Sequence, residues 1–328
     1  VSARGALRRG LAAALLFACG AAGAQASAPP PSPWAGPYQD LSQGPAPAWR
    51  LPPAPGRVIT WAFATGACGQ ERWSLHADAA EEAREMQRRI AEAVAEGRDH
   101  AVSTGGEVGI FTCSTQAGMR RFVERHLSPR LVGLDFDIEG KQTAEQIDAL
   151  VQQVAWAAQQ WPQLRLSFTL ATHASADGRG LNATGENVMR AVATHGLRSR
   201  AVINLMVMNY GPADARWCVL KAGRCDMAAS ALQAAHNLHR AHGVPYAQIA
   251  LTLMAGENDV AGNVTGVDDA AAVAAAAQRL GLAGVHHWSL HRDQACAAGS
   301  PRVSPRCHAL PGVAPGSFGA TLDAARPR

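Results

Sequence analysis

Between residues 58 and 290 the chain repeats one pattern that few folds satisfy: a short apolar run, then a longer amphipathic stretch, then another apolar run. The runs fall at 58–65, 108–112, 132–138, 164–170, 202–208, 249–254 and 285–290. Each has the length of a strand and is apolar enough to be covered on both faces. The stretches at 80–94, 144–160, 229–242 and 268–280 are rich in Ala, Glu, Gln and Arg and suit helices with one buried face. A candidate first strand lies at 34–41, before a Pro- and Gly-rich loop at 44–56. Strand–helix alternation builds a parallel sheet, and eight units close it. The expected fold class is therefore a single α/β domain, a (β/α)8 TIM barrel, over 34–310. A doubly wound open sheet is the alternative.

The ends of the chain read differently. Residues 1–26 carry Arg4, Arg8 and Arg9, an apolar run at 11–18 and the closing triplet Ala24-Gln25-Ala26. That order is expected of a signal peptide with an A-x-A cleavage site, and the run is too short to span a bilayer stably. An exported protein, secreted or periplasmic, beginning near Ser27 is expected. Lipoprotein anchoring at Cys19 is the rival reading, with Phe17 an awkward residue for it. Residues 27–33 read as a Pro-rich tether and 311–328 as a flexible C-terminal tail. The whole chain carries +4; without the three early arginines the balance is +1. So even a charge offers no basic patch for nucleic acid, and no later stretch is long and apolar enough to be a transmembrane segment. A monomer is expected.

Beyond Cys19 six cysteines remain: Cys68, Cys113, Cys218, Cys225, Cys296 and Cys307. An even number in an exported chain argues for disulfides, although six cysteines allow fifteen pairings. Short loops favour Cys218 with Cys225 and Cys296 with Cys307, which leaves Cys68 with Cys113. Free buried thiols are the alternative. With no C-x-x-C pair, and with His286 and His287 facing opposite ways in a strand, no metal site is expected.

The most informative stretch is Leu131-Val132-Gly133-Leu134-Asp135-Phe136-Asp137-Ile138-Glu139-Gly140. In a strand Asp135, Asp137 and Glu139 point to one face, spaced about 6.6 Å apart. Three carboxyls on one buried face cannot all ionise cheaply, so at least one is expected to hold its proton and serve as a general acid. A solvated edge strand and a Mg or Ca site are the competing readings; the apolar alternate positions argue against the edge.

From Gly133 to Glu139 this segment resembles the fourth-strand motif D-G-x-D-x-D-x-E of family 18 glycoside hydrolases, with Val132 where the first Asp usually stands. Three further stretches are similar to the family in order: Val202 through Gly211 to V-N-x-M-x-M-D-Y-G, with Asn209 for Asp; Leu251 through Asp259 to T-P-M-x-G-x-N-D, with Leu253 for Pro; and Gly284 through Asp293 to a closing W-S-L-x-R-D. Gly109 through Thr115 is the weakest match, to S-x-G-G. The resemblance implies retaining, substrate-assisted hydrolysis of β-1,4-linked N-acetylglucosamine without a cofactor, on chitin or its oligosaccharides. It implies Glu139 as acid and then base, Asp137 as partner of the acetamido N–H, and Asp135 behind it sharing a proton. Tyr210 or Asn209 would bind the acetamido oxygen. Trp288 would lie under the sugar ring, with Met206 and Met254 at the barrel mouth; for Tyr210, Trp288 and the two methionines core packing is the alternative. A chitin-binding barrel without activity and an enzyme acting on N-glycans are the other functional readings.

Overall fold

The computed structural model describes residues 1–2, 34–107 and 109–323. The segment read as signal beyond residue 2, the tether and the last five residues of the tail lie outside these. Eight parallel strands close into a barrel: β1 (Trp34–Asp40), β2 (Val58–Ala64), β3 (Asp99–Gly105), β4 (Leu131–Ile138), β5 (Arg165–Ala171), β6 (Ala201–Met206), β7 (Ile249–Met254) and β8 (Gly284–Trp288). Around them run α1 (Ala79–Glu96), α2 (Gln116–His126), α3 (Ala144–Gln160), α4 (Ala183–Thr194), α5 (Met227–His242), α6 (Val267–Leu280) and α7 (Ser317–Leu322). Each strand from β2 to β7 is followed by a helix; β1 leads instead into a short 3-10 turn and the loop to β2.

Two expectations are corrected. The third barrel strand is β3, not 108–112, where only Phe111–Thr112 forms a two-residue strand against Gly66–Ala67 and Val108 lies outside the described residues. The strand Asp-His-Ala-Val-Ser-Thr-Gly carries no run of large aliphatic residues, because its inward side faces a polar interior. The C-terminal segment is not a free tail as far as Leu322. Helix α7 buries Phe318 and Leu322, and Asp293, itself buried, accepts from the backbone N–H groups of Phe318 and Gly319 at 3.0 and 2.8 Å.

The strands divide their residues by parity. Outward positions such as Ile59, Val102, Leu134, Phe136, Phe168, Ile203, Leu205 and Leu251 join helix residues in the main apolar core. Inside, apolar matter is confined to small clusters: Trp34, Val58 and Ala101 with Val132 against them, and Val202 with Ala250 and Ala283. Val132 falls where the β3–β4 register slips, since His100 pairs with Leu131 but Ala101 with Gly133. Val132 is thus an apolar residue packed low in the barrel, against Trp34, Val58 and Ala101. Disulfides join Cys68 to Cys113, Cys218 to Cys225 and Cys296 to Cys307. The first ties the loop after β2 to the loop after β3.

Candidate active site

A polar belt crosses the barrel interior. Asp135 on β4 accepts from the hydroxyls of Tyr38 on β1 at 2.9 Å, Ser103 on β3 at 2.7 Å and Thr169 on β5 at 2.7 Å. Asn204 on β6 donates to Tyr38 and Thr169 at 3.0 and 2.9 Å, and its carbonyl accepts from Thr252 on β7 at 3.0 Å. Six strands therefore meet in one set of hydrogen bonds, and a buried polar network satisfied in this way rigidifies its surroundings. Three donors suit an ionised Asp135, although burial outweighs them and leaves its carboxyl above its ordinary range.

Above this belt stands Asp137, also buried. One of its oxygens, Oδ1, has no hydrogen-bond partner among the described residues. Burial first, then the charges of Glu139 and Asp135, push its carboxyl well up, so the row as a whole resists full ionisation. Glu139 follows at the end of β4, half-buried at the mouth. Burial raises it to about 7, with the neighbouring charge of Glu107 adding to the effect and that of Lys141 opposing it. The row thus runs from a hydrogen-bonded floor to an acid at the opening.

That opening is a cleft of about 380 Å³ at the C-terminal ends of the strands. Asp137, Glu139, Met206, Met254, Asn209 and Trp288, all named from the sequence, line it together with Tyr38, Phe63, Glu107, Thr169, His173, Thr252 and Asp259. Trp288 stacks on Phe63 with ring centroids 5.4 Å apart and planes at 17°, leaving a half-buried indole at the cleft wall. Asn209 is held by its neighbours: its side-chain oxygen accepts from the N–H of Val260 at 3.1 Å and its amide donates to Asp259 at 3.4 Å. Asp259 in turn pairs with the buried Arg292 at 3.1 Å. A carboxylate therefore sits beside Asn209.

Tyr210 is placed otherwise. It is buried within the main apolar core, is absent from the cleft lining, and its hydroxyl has no partner among the described residues. Tyr38, Ser103, Thr169, Asn204 and Thr252 were not singled out by sequence reasoning. A signal for one of them is present in the sequence: Ser103-Thr104-Gly105-Gly106 carries S-x-G-G at the end of β3, a closer fit than Gly109 through Thr115.

No family model matches the chain. A probable bifunctional chitinase/lysozyme of Escherichia coli strain K12 is 31% identical over 189 residues, which are 54% of this chain and 20% of that protein. The chain thus spans about one fifth of that relative's length. Among solved structures, the catalytic domain of a hyperthermophilic chitinase from Pyrococcus furiosus superposes with a TM-score of 0.67 at 20% identity, covering 90% of this chain and 96% of that one. A GH18 chitinase from Cycas revoluta in complex with (GlcNAc)3 gives 0.52 at 13% identity, over 78% and 95%. The chain has the barrel fold of the GH18 chitinases. Within that chitinase fold the acidic row occupies β4, and the cleft opens at the C-terminal ends of the strands, the end at which barrel enzymes carry their chemistry.

Proposed function

We propose that this chain is a chitinase-type glycoside hydrolase that cleaves β-1,4-linked N-acetylglucosamine with retention, using the substrate's own acetamido group as nucleophile. The observation that carries the reading is the row Asp135, Asp137, Glu139, rising from a closed hydrogen-bond network to a half-buried carboxyl at an open cleft. Glu139 donates its proton to the leaving glycosidic oxygen. The acetamido oxygen attacks the anomeric carbon, and Asp137, with its unpartnered oxygen, accepts the acetamido N–H and stabilises the positive charge that develops. Asp135 takes up the change in proton sharing behind it. Water then attacks, with Glu139 as base. Trp288 and Phe63 offer an apolar wall to the sugar ring, and Met206 and Met254 fill the mouth around it. Asn209, whose side-chain amide has a second N–H besides the one given to Asp259, is the donor for the acetamido oxygen, in preference to the enclosed Tyr210. Export of the mature chain belongs to the same reading, supported by the three disulfides.

The test is hydrolysis of soluble N-acetylglucosamine oligomers by the protein and by Glu139→Gln, with products separated by length. Loss of the general acid is expected to lower turnover by about 10²–10⁴-fold while oligomer binding persists. Binding without cleavage by both proteins would favour a chitin-binding barrel instead. With neither binding nor cleavage, the substrate assignment is wrong and N-glycans are the next to try.

A further inference from the structure

Asn209 stands in the cleft wall with a backbone φ of 51, in the left-handed region that asparagine tolerates better than most residues but holds only with outside support. The support comes from the hairpin after β7, whose short strands Gly256–Glu257 and Val264–Thr265 pair antiparallel. The side chain of Asn258 accepts from the backbone N–H of Asn209 at 3.2 Å. That of Asn263 accepts from the N–H of Tyr210 at 2.8 Å and donates to the carbonyl oxygen of Gly211 at 2.9 Å. These bonds fix the turn that follows β6. They leave the Asn209 side chain to be set by Asp259 and Val260.

That amide can face only one way. Its Oδ1 accepts from the N–H of Val260 at 3.1 Å and its Nδ2 donates to Oδ2 of Asp259 at 3.4 Å, so turning it over would set N–H against N–H and oxygen against carboxylate. Nδ2 keeps a second hydrogen for the cleft. Asp259 cannot hold this arrangement alone, because its side chain is 52% exposed and a carboxylate in a solvated turn rotates freely. Arg292, on the loop after β8 and 1% exposed, pins it: Nη1 donates to Asp259 Oδ1 at 3.1 Å. The other donors of Arg292 are engaged at the root of the same hairpin, Nη2 at the carbonyl oxygen of Glu257 and Nε at that of Ala255 at 3.4 Å, which fixes the aim of the guanidinium. The two carboxylate oxygens are thus divided, one for Arg292 and one for Asn209.

We propose that Arg292 and Asp259 are positioning residues acting in series: the buried Arg292 orients the Asp259 carboxylate, and the carboxylate orients the Asn209 amide so that one N–H faces the cleft. The effect on rate rests on the hydrolytic reading of the site; the orientation itself does not.

The experiment uses the isosteric variant Asp259→Asn, together with Arg292→Lys, Asn209→Ala and, as control, Arg302→Met. An amide has one acceptor oxygen, so residue 259 can then serve Arg292 or Asn209 but not both, at no change in volume. On an N-acetylglucosamine tetramer kcat/KM is expected to fall about 10²-fold in Asp259→Asn, as a donor near the reacting atoms is misplaced. In the Asn209→Ala background the same change is expected to cost less than about twofold, because the group it positions is gone. Losses that simply multiply would overturn the proposal. Arg292→Lys keeps the charge but not the fork, and its loss should vanish in the same background. Arg302 is largely exposed and pairs with Glu257 of the same hairpin at 2.7 Å, without touching Asp259 or Asn209. Arg302→Met is expected to leave the rate near the wild-type value; a loss as large as that of Asp259→Asn would mean that any loosening of the hairpin reaches the cleft, and would overturn the series. The side-chain amide signals of Asn209 in nuclear magnetic resonance spectra, assigned by their disappearance in Asn209→Ala, read the orientation without substrate. They are expected to shift in Asp259→Asn and Arg292→Lys and to stay in place in Arg302→Met; signals unmoved in Arg292→Lys overturn the proposal. A chain that cleaves nothing yet shows these shifts keeps the series and loses the hydrolytic reading, and a chain that cleaves with unmoved signals does the reverse.

Discussion

Glu139 sets the pH behaviour expected of the molecule. Its carboxyl is raised from 4.5 to about 7, by burial and then by Glu107. As the acid of the proposed reaction it must be protonated before the bond breaks, so kcat/KM is expected to fall above pH about 7, about tenfold per unit. Removing the charge in Glu107→Gln should bring that alkaline limb to lower pH; a limb that does not move would separate Glu107 from the site. The same shift has a consequence for stability. A group whose folded value lies above its unfolded one contributes stability that is present below 4.5 and lost as pH rises through about 7. Glu139→Gln, which cannot ionise, is therefore expected to melt higher than the wild type at pH 8 and by a smaller margin at pH 5. Calorimetry at the two values checks the sign. The acids themselves were legible in the sequence because period-two spacing puts them on one face. Their three hydroxyl partners on Asp135 were not, since Tyr38, Ser103 and Thr169 come from strands 97, 32 and 34 residues away.

Strand β3 shows what apolar patterning misses. Its inward positions meet the acid row, so Ser103 serves Asp135 and Gly105 lies in register beside Asp137, and neither residue registers in a search for aliphatic runs. The strands with Leu, Ile and Val at their outward positions were read to within a residue or two, because the packing against helices that creates those positions is what the search detects. Gly105 tests the point at the level of the strand. It sits at φ 88, and a Cβ there would lie 2.1 Å from the backbone oxygen of Asp137. Gly105→Ala is expected to destabilise the fold by about 2 kcal/mol or more, through overpacking and backbone strain together, and to lower turnover by displacing Asp137. Denaturant unfolding and the oligomer assay measure the two effects separately. An alanine accepted at no cost would mean that β3 and β4 are less tightly joined than their register implies.

At the scale of the molecule the barrel is closed by long-range ties, and they are not equal. Cys68 and Cys113 are 45 residues apart while Cys218 and Cys225 are 7 apart. On a chain-entropy account the longer loop is worth about 1.7 kcal/mol more, so replacing the first pair by serines should cost more than replacing the second. The C-terminal segment offers the sharper test, because its composition misled: Gly, Ala and Pro dominate it, and only its contacts show that Phe318 and Leu322 enter the core. Burying those two side chains contributes roughly 3–6 kcal/mol. Docking also gives Asp293 its two backbone donors, and Asp323 pairs with Arg57. Ending the chain at Val313 would remove both and leave Asp293 buried without those donors, beside a His287 that burial holds neutral at 3.7 Å. The truncated chain should therefore lose at least the apolar contribution in denaturant unfolding. None of the residues lining the cleft lies beyond Trp288, so KM for oligomers is expected to stay near the full-length value at temperatures where the truncated barrel remains folded. A stability unchanged by the truncation would return the segment to the status of a loose tail, and a changed KM would show that α7 acts on the cleft through β8.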